Sequence, residues 1–224
     1  DRPERALEYF DRVAREHRDS RYALASRLGM AKSFALNGQN RKALDSYGPV
    51  VGEIAAESAD HPLIDHNKVQ ASLLTLYHKL NNMSKWQEAY EFLALLERIL
   101  EPENVHPTHM DVKEMQGAAL LKLSQRQHSE ADHLAAEIAQ GRAPVDAQPR
   151  VDLLNSDARR NLLTAAEAYL QAAYIATRDN GKRAGEYLEL AAKCYDRAGE
   201  ISRAIEVLKR FVAEHPSDKR RVAQ

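Results

Sequence analysis

Cysteine, proline, glycine and aromatic residues are all scarce in this chain. One cysteine, Cys194, stands among 224 residues, which excludes an internal disulfide and any cysteine-rich zinc site. Nine glycines and eight prolines are too few for a loop-rich fold, and they fall between long segments of Ala, Leu, Glu, Lys and Arg, the composition of helices with short breaks. Aromatic residues make up 6% of the chain. No run of alternating β-branched residues reads as a strand. No apolar stretch approaches the roughly 20 residues of a membrane span, so a soluble chain without membrane insertion is expected. A glycine-rich phosphate loop is also missing. Charge of one sign is not in excess: 32 Lys and Arg face 33 Asp and Glu, for a formal net charge of -1, which gives no net field to draw in nucleic acid or an anionic membrane. The chain starts on Asp1 rather than Met and its helical periodicity begins almost at once, as expected of a segment cut from a longer protein.

What is present is helical patterning. In the first segment, 3–17, Ala6, Leu7, Phe10 and Val13 recur at three- and four-residue steps and share one face. Further helices are expected at 21–36, 41–56, 61–80, 85–100, 108–123, 129–139, 182–198 and 202–215. Asn37-Gly38, Asn81-Asn82, Glu101-Pro102 and Gly199-Glu200 supply the stops. Gly141, Pro144 and Pro149 mark 141–150 as the longest break and the best hinge candidate. Between 150 and 177, Asn155-Ser156-Asp157 either caps a new helix, the reading favoured here, or lies within one long helix.

A small residue recurs near the start of every second helix, as Ala6, Ala43, Ala89, Ala131 and Ala204. The steps of 37, 46 and 42 exceed a 34-residue period by loop or helix extensions, and the last, 73, is about twice 36, which predicts one degenerate unit between Ala131 and Ala204. One hairpin carries the pattern most fully: Tyr195 late in its first helix, Gly199 in the turn, Ala204 at the helix contact, then Leu208, Phe211 and Pro216. The segment with Met30, Ala31, Phe34, Gly38, Ala43, Tyr47 and Val50 repeats it. These residues resemble the tetratricopeptide repeat family. Alanine there lets antiparallel helices approach closely while aromatics and Leu fill the gap to the next hairpin. Departures are Arg18 where a helix-ending proline is usual, Ser84 for the turn glycine, and Lys122 at an aromatic position. Helix ends such as 16–20 and 214–218 are also similar to bacterial envelope members of the family, a likeness that points toward the periplasm or envelope and leaves the cytoplasm open.

The resemblance implies an all-α, right-handed α-solenoid of about five stacked antiparallel hairpins, spanning 1–224 as a single array. It implies a protein–protein interaction scaffold whose first helices line a concave, partner-binding face. Carried onto the matching units, that face contains Lys32 and Leu36, then Leu74, His78 and Asn82, then Glu189, Lys193 and Arg197. The alternative is a regulatory or sensor module of a longer enzyme or transcription factor. A carboxylate clamp is not expected: Lys32 and Asn82 suit one, but Ala25, Leu28 and Ala71 stand where further donors belong. Partners are other proteins or peptides, with a homodimer through exposed terminal repeats also expected, by way of Leu7 and Phe10 or the last helix.

No catalytic residues, metal or cofactor are expected. His106 and His109 beside Asp111 lack further ligands at helical spacing, and Thr108 reads as a helix cap. Cys194, next to Tyr195 on a packing helix, reads as a small buried hydrophobe, and Trp86 as a ring closing a hairpin core.

Overall fold

The computed structural model describes residues 3–18, 20–56, 63–101, 106–178 and 183–214. Among them lie nine α-helices and no strand: α1 (Pro3–Glu16), α2 (Arg21–Leu36), α3 (Asn40–Ala56), α4 (His66–Asn82), α5 (Trp86–Glu97), α6 (His109–Ala139), α7 (Ala147–Arg178), α8 (Ala184–Arg197) and α9 (Ile201–Glu214). They form antiparallel hairpins, α2/α3, α4/α5, α6/α7 and α8/α9, preceded by α1 as a lone second helix. The chain divides into two compact units, 1–104 and 105–224. The 141–150 stretch lies inside the second unit, joining α6 to α7.

One device ends the first helix of every hairpin. A residue with positive φ follows the helix, and the next N–H donates to the carbonyl five residues back, which closes off otherwise unsatisfied carbonyls. Gly38, Gly141 and Gly199 take this position with φ of 71°, 66° and 77°. The bonds are Gln39 to Phe34 (2.9 Å), Arg142 to Glu137 (3.0 Å) and Glu200 to Tyr195 (2.9 Å). In the second hairpin Ser84 stands at φ 57° and Lys85 donates to Leu80 at 2.9 Å. The departure seen in the sequence thus keeps the geometry at the expense of a side chain in the left-handed region.

In the first unit α1 closes on α2 through Phe10, whose ring covers Gly29; a Cβ on that glycine would fall 2.6 Å from Phe10 Cζ. Ala31 and Ala35 of α2 and Ala43 of α3 are buried at the hairpin seam, as alanine at a close approach requires. Tyr47 then links successive hairpins. It is fully buried, its hydroxyl lies 2.7 Å from Ser72 Oγ on α4, and its ring meets Phe92 of α5 edge-on at 6.0 Å. Beside it Asn40 donates to Glu88 (2.9 Å) and Arg41 to Glu91 (3.2 Å), so α3 and α5 are joined by apolar and polar contacts together.

The second unit departs from expectation in one respect. Instead of breaks near 124–128 and 155–157, α6 and α7 run uninterrupted for 31 and 32 residues. No Gly or Pro interrupts 124–128, and Ser124 bonds back to the Leu121 carbonyl (2.8 Å) from within the helix. Asn155 faces His128 across the hairpin and Asp157 accepts from Arg160 one turn on, so neither caps a helix. The 73-residue step from Ala131 to Ala204 therefore holds one lengthened hairpin partner, not an extra degenerate unit.

α6 starts on a reciprocal cap, in which Asp111 N–H donates to Thr108 Oγ1 (3.1 Å) and Thr108 N–H to the Asp111 carboxylate (2.9 Å). Ala158, Ala165, Ala166, Ala172 and Ala173 give α7 a buried small-residue seam. At its other end α8 is tied to α6: Glu114 accepts from Arg183 (2.7 Å) and from the Tyr187 hydroxyl (2.8 Å). Arg159 of α7 donates to the Ala198 carbonyl (3.0 Å) and pairs with Glu200 (2.8 Å), fixing the α8/α9 turn. Residues 147–158 of α7, with their α6 partners, extend past that turn as a two-helix arm about 18 Å long.

Candidate partner-binding surface

Each group of residues expected on the binding face lies along one helix, always a first helix of its hairpin. Lys32 and Leu36 sit one turn apart near the end of α2; Lys32 is half-buried, and Leu36 is 77% exposed. An apolar side chain this exposed at a helix end has no role in the hairpin core. Leu74, His78 and Asn82 recur every fourth residue along α4, with Leu74 half-buried and the other two exposed. The His78 ring lies tilted against Tyr77, centroids 4.9 Å apart.

Glu189, Lys193 and Arg197 recur likewise along α8, in the second unit. Lys193 Nζ donates to Glu189 at 2.6 Å, so these two charges satisfy each other, and Arg197 is exposed beyond them. The α2 and α4 groups share the first unit, where their partner helices join through Tyr47 and Phe92 and through Asn40 and Glu88. The α8 group stands in the other unit.

The sequence reading missed an apolar groove between α1 and α2. Tyr9, Phe10, Val13 and His17 line one side, and Tyr22 and Ala25 the other, around a cavity of ≈ 650 Å³. Tyr9 and Tyr22 are 66% and 50% exposed. The signal was in the sequence, because Tyr22, Ala25, Gly29, Lys32 and Leu36 recur at three- and four-residue steps along one face of α2.

Cys194 is buried, and burial pushes its thiol up to about 11, far from a reactive thiolate. Burial and the bond to Glu114 also raise the Tyr187 phenol well above its ordinary range, which keeps it protonated as a donor to Glu114. His106 lies 3.6 Å from Asp111, whose carboxylate already serves the α6 cap. Among the described residues no three His, Cys, Asp or Glu side chains gather where a metal ion could be held. No helix among them is long and apolar enough to cross a membrane.

The hairpin of α8 and α9, with Tyr195 and Ala204 buried around the Gly199 turn, is the part of the chain that known proteins identify. Residues 186–218 match the tetratricopeptide repeat family model. The chain thus carries a tetratricopeptide repeat, and its other hairpins follow the same plan of closing turn and alanine seam. Among solved structures it is similar to one from Podosopora anserina described as a kinesin light chain with nearly identical TPR-like repeats, at 19% identity and a TM-score of 0.40, over 97% of this chain and 89% of that one. No curated protein matches it.

Proposed function

We propose that this chain is a protein–protein interaction scaffold, holding peptide or helical segments of other proteins on the exposed faces of its first helices. Tetratricopeptide repeats are in general protein-interaction modules, and the observation that carries the reading here is the stripe of solvent-facing side chains on α2, α4 and α8. These helices bury one face in their hairpins and leave a second, chemically varied face to solvent. Lys32 and Leu36, with Leu74, His78 and Asn82, offer a cation, apolar patches and amide and imidazole hydrogen-bonding groups in one unit. Glu189, Lys193 and Arg197 give the second unit a charged surface of its own.

The near-neutral charge favours protein partners over nucleic acid. The chain acts without turnover of its own, and self-association through α1 or α9 is a further contact in this reading. Affinity capture with the wild-type chain, beside a Lys32→Ala, His78→Ala, Asn82→Ala variant and a Glu189→Ala, Lys193→Ala, Arg197→Ala variant, tests it. Each variant is expected to lose a subset of partners while keeping its helical circular dichroism. Equal recovery by all three chains refutes the assignment of these faces.

A further inference from the structure

We propose that the basic end of the groove between α6 and α8 seats an extended acidic segment of a partner protein. This deepens the scaffold reading, on which it rests for the general role, by naming the partner's chemistry and by adding Lys122 and Arg126 of α6 to the α8 group.

α7 sets the register of the two helices beside it. Its Tyr169 ring covers Gly117 of α6 and lies nearly parallel to Tyr187 of α8, with centroids 6.5 Å apart. Toward its start, Asn161 donates to Gln127 of α6 (2.8 Å), and Arg159, two residues earlier, donates to the Ala198 carbonyl at the end of α8 (3.0 Å). α6 and α8 therefore run in the same direction, with Gly117 level with Tyr187 and Gln127 level with Ala198. Glu114 fits this register, bonded to Arg183 and Tyr187 on either side of its own level. Ala118, Lys122 and Arg126 follow Glu114 at four-residue steps along α6, and Leu190, Lys193 and Arg197 follow Tyr187 along α8. Both first helices are followed by their second helices, α7 and α9, so the walls of this groove are complete within the unit.

Charge selects the occupant. Ala118 and Leu190 form a half-buried apolar level. One turn on, Lys122 stands level with Lys193, and a turn beyond that Arg126 stands level with Arg197, all four exposed. Glu189 offsets one of them, accepting from Lys193 at 2.6 Å. Asp196 lies half a turn round α8 from Tyr187, on the side away from α6, and Asp132 of α6 stands more than a turn past the end of α8. The two basic levels are about 6 Å apart, four residues of helix, close to the roughly 6.6 Å between alternate side chains of an extended chain. An apolar residue followed at alternate positions by two Asp or Glu thus meets the three levels in turn, whereas cations there would be opposed at both basic levels. Arg197 lies in the last turn of α8, where the helix carbonyls draw on its charge. Arg126 stands more than three turns from the end of α6, which makes it the sharpest position to test.

The test uses the full chain and fluorescence anisotropy with three labelled peptides. One is unstructured, with Leu and then two Glu at alternate positions between Ser residues; the second has Lys for Glu; the third is a stable helix with Leu and two Glu at every fourth position. The extended Glu peptide is expected to bind at least about tenfold more tightly than the Lys peptide. Arg126→Glu, with helical circular dichroism kept, is expected to weaken it by about tenfold, and Lys122→Glu combined with Arg126→Glu to reverse the preference. Lys209→Glu, the same change of charge at an exposed position of α9, is expected to leave binding within about twofold. Equal binding of the Glu and Lys peptides, no binding of either, tighter binding of the helical peptide, or equal weakening by Arg126→Glu and Lys209→Glu overturns the proposal. A dimer in sedimentation that Arg126→Glu dissolves would place a second copy in the groove and overturns it as well. Loss of captured partners by the Glu189, Lys193 and Arg197 variant, beside equal binding of the Glu and Lys peptides, removes this proposal and leaves the scaffold reading standing. Equal capture by every variant, beside a kept Glu preference that Arg126→Glu abolishes, refutes the scaffold reading and not the chemistry of this groove.

Discussion

Tyr169 lies flat over the bare Cα of Gly117: a Cβ built on that glycine would sit 2.8 Å from Tyr169 Cζ. Tyr187 lies nearly parallel to this ring, with centroids 6.5 Å apart and 18° between the planes, and so narrows the room into which it can move. Two effects oppose each other in Gly117→Ala. Helix propensity gains about 1 kcal/mol, while overpacking costs typically about 1–3 kcal/mol, and the confined ring places the cost at the upper end. A net loss of about 1–2 kcal/mol is expected in urea unfolding, with strong coupling to Tyr169→Leu in a double-mutant cycle. A stabilised Gly117→Ala would show that α6 and α7 do not touch here.

Ser84 is the one turn residue that holds a side chain where Gly38, Gly141 and Gly199 hold none. Replacing it with glycine relieves the left-handed backbone and loosens the unfolded chain, and the first effect is the larger at this φ. Ser84→Gly is expected to stabilise the first unit by about 0.5–1 kcal/mol, and Gly199→Ser to destabilise the second by a similar amount. Thermal unfolding of both variants checks the pair, whose changes must carry opposite signs.

Tyr187 gives the alkaline limb of stability its direction. Burial, then the bond to Glu114, raises its folded-state pKa above the unfolded value near 10. The unfolded chain therefore sheds this proton first, and stability falls as pH climbs past about 10 toward the folded pKa. Tyr47 and Tyr195, raised by burial too, add to the same slope. Tyr187→Phe is expected to flatten the fall between about pH 10 and 11, while costing about 1.5–3 kcal/mol at neutral pH through the lost bond to a carboxylate. An unchanged alkaline slope in chemical denaturation would remove Tyr187 from it.

Ala43 and Ala6 hold the same place in the repeat but differ in burial, Ala43 being inaccessible and Ala6 half-exposed. Ala43→Leu is expected to cost about 1–3 kcal/mol by forcing α2 and α3 apart. Ala6→Leu is expected to lie within about 0.5 kcal/mol of wild type. Similar losses at both sites would mean that α1 is packed more fully than its exposure indicates.

The parts legible in the sequence were those set by local steric demands. Glycine at a left-handed turn and alanine at a helix contact are dictated by the backbone nearby, so Gly38, Gly199, Ala43, Ala89 and Ala204 could be read one at a time. The lengths of α6 and α7 were not legible in this way. Ser124 and Asn155-Ser156-Asp157 are residue types that serve equally as caps or as exposed helical positions, and the choice falls to partners distant in sequence, such as His128 for Asn155. Of the proposed binding face, only the positions of Lys32 and Leu36 on α2 follow from the repeat register. Tyr22 and Ala25 become a groove wall only once α1 is in place.

The two-helix arm of residues 147–158 and their α6 partners joins across its seam by His128 with Asn155 and Arg150 with Glu130, beside the buried Ala131, Ala147, Val151 and Ala158. Such a lever can be lengthened or trimmed, by equal numbers of heptads in both helices, with the seam staying in phase and the hairpins at its root untouched. Its reach is therefore free to drift between descendants of a common ancestor, a yardstick that evolution can reset while every repeat around it stays fixed.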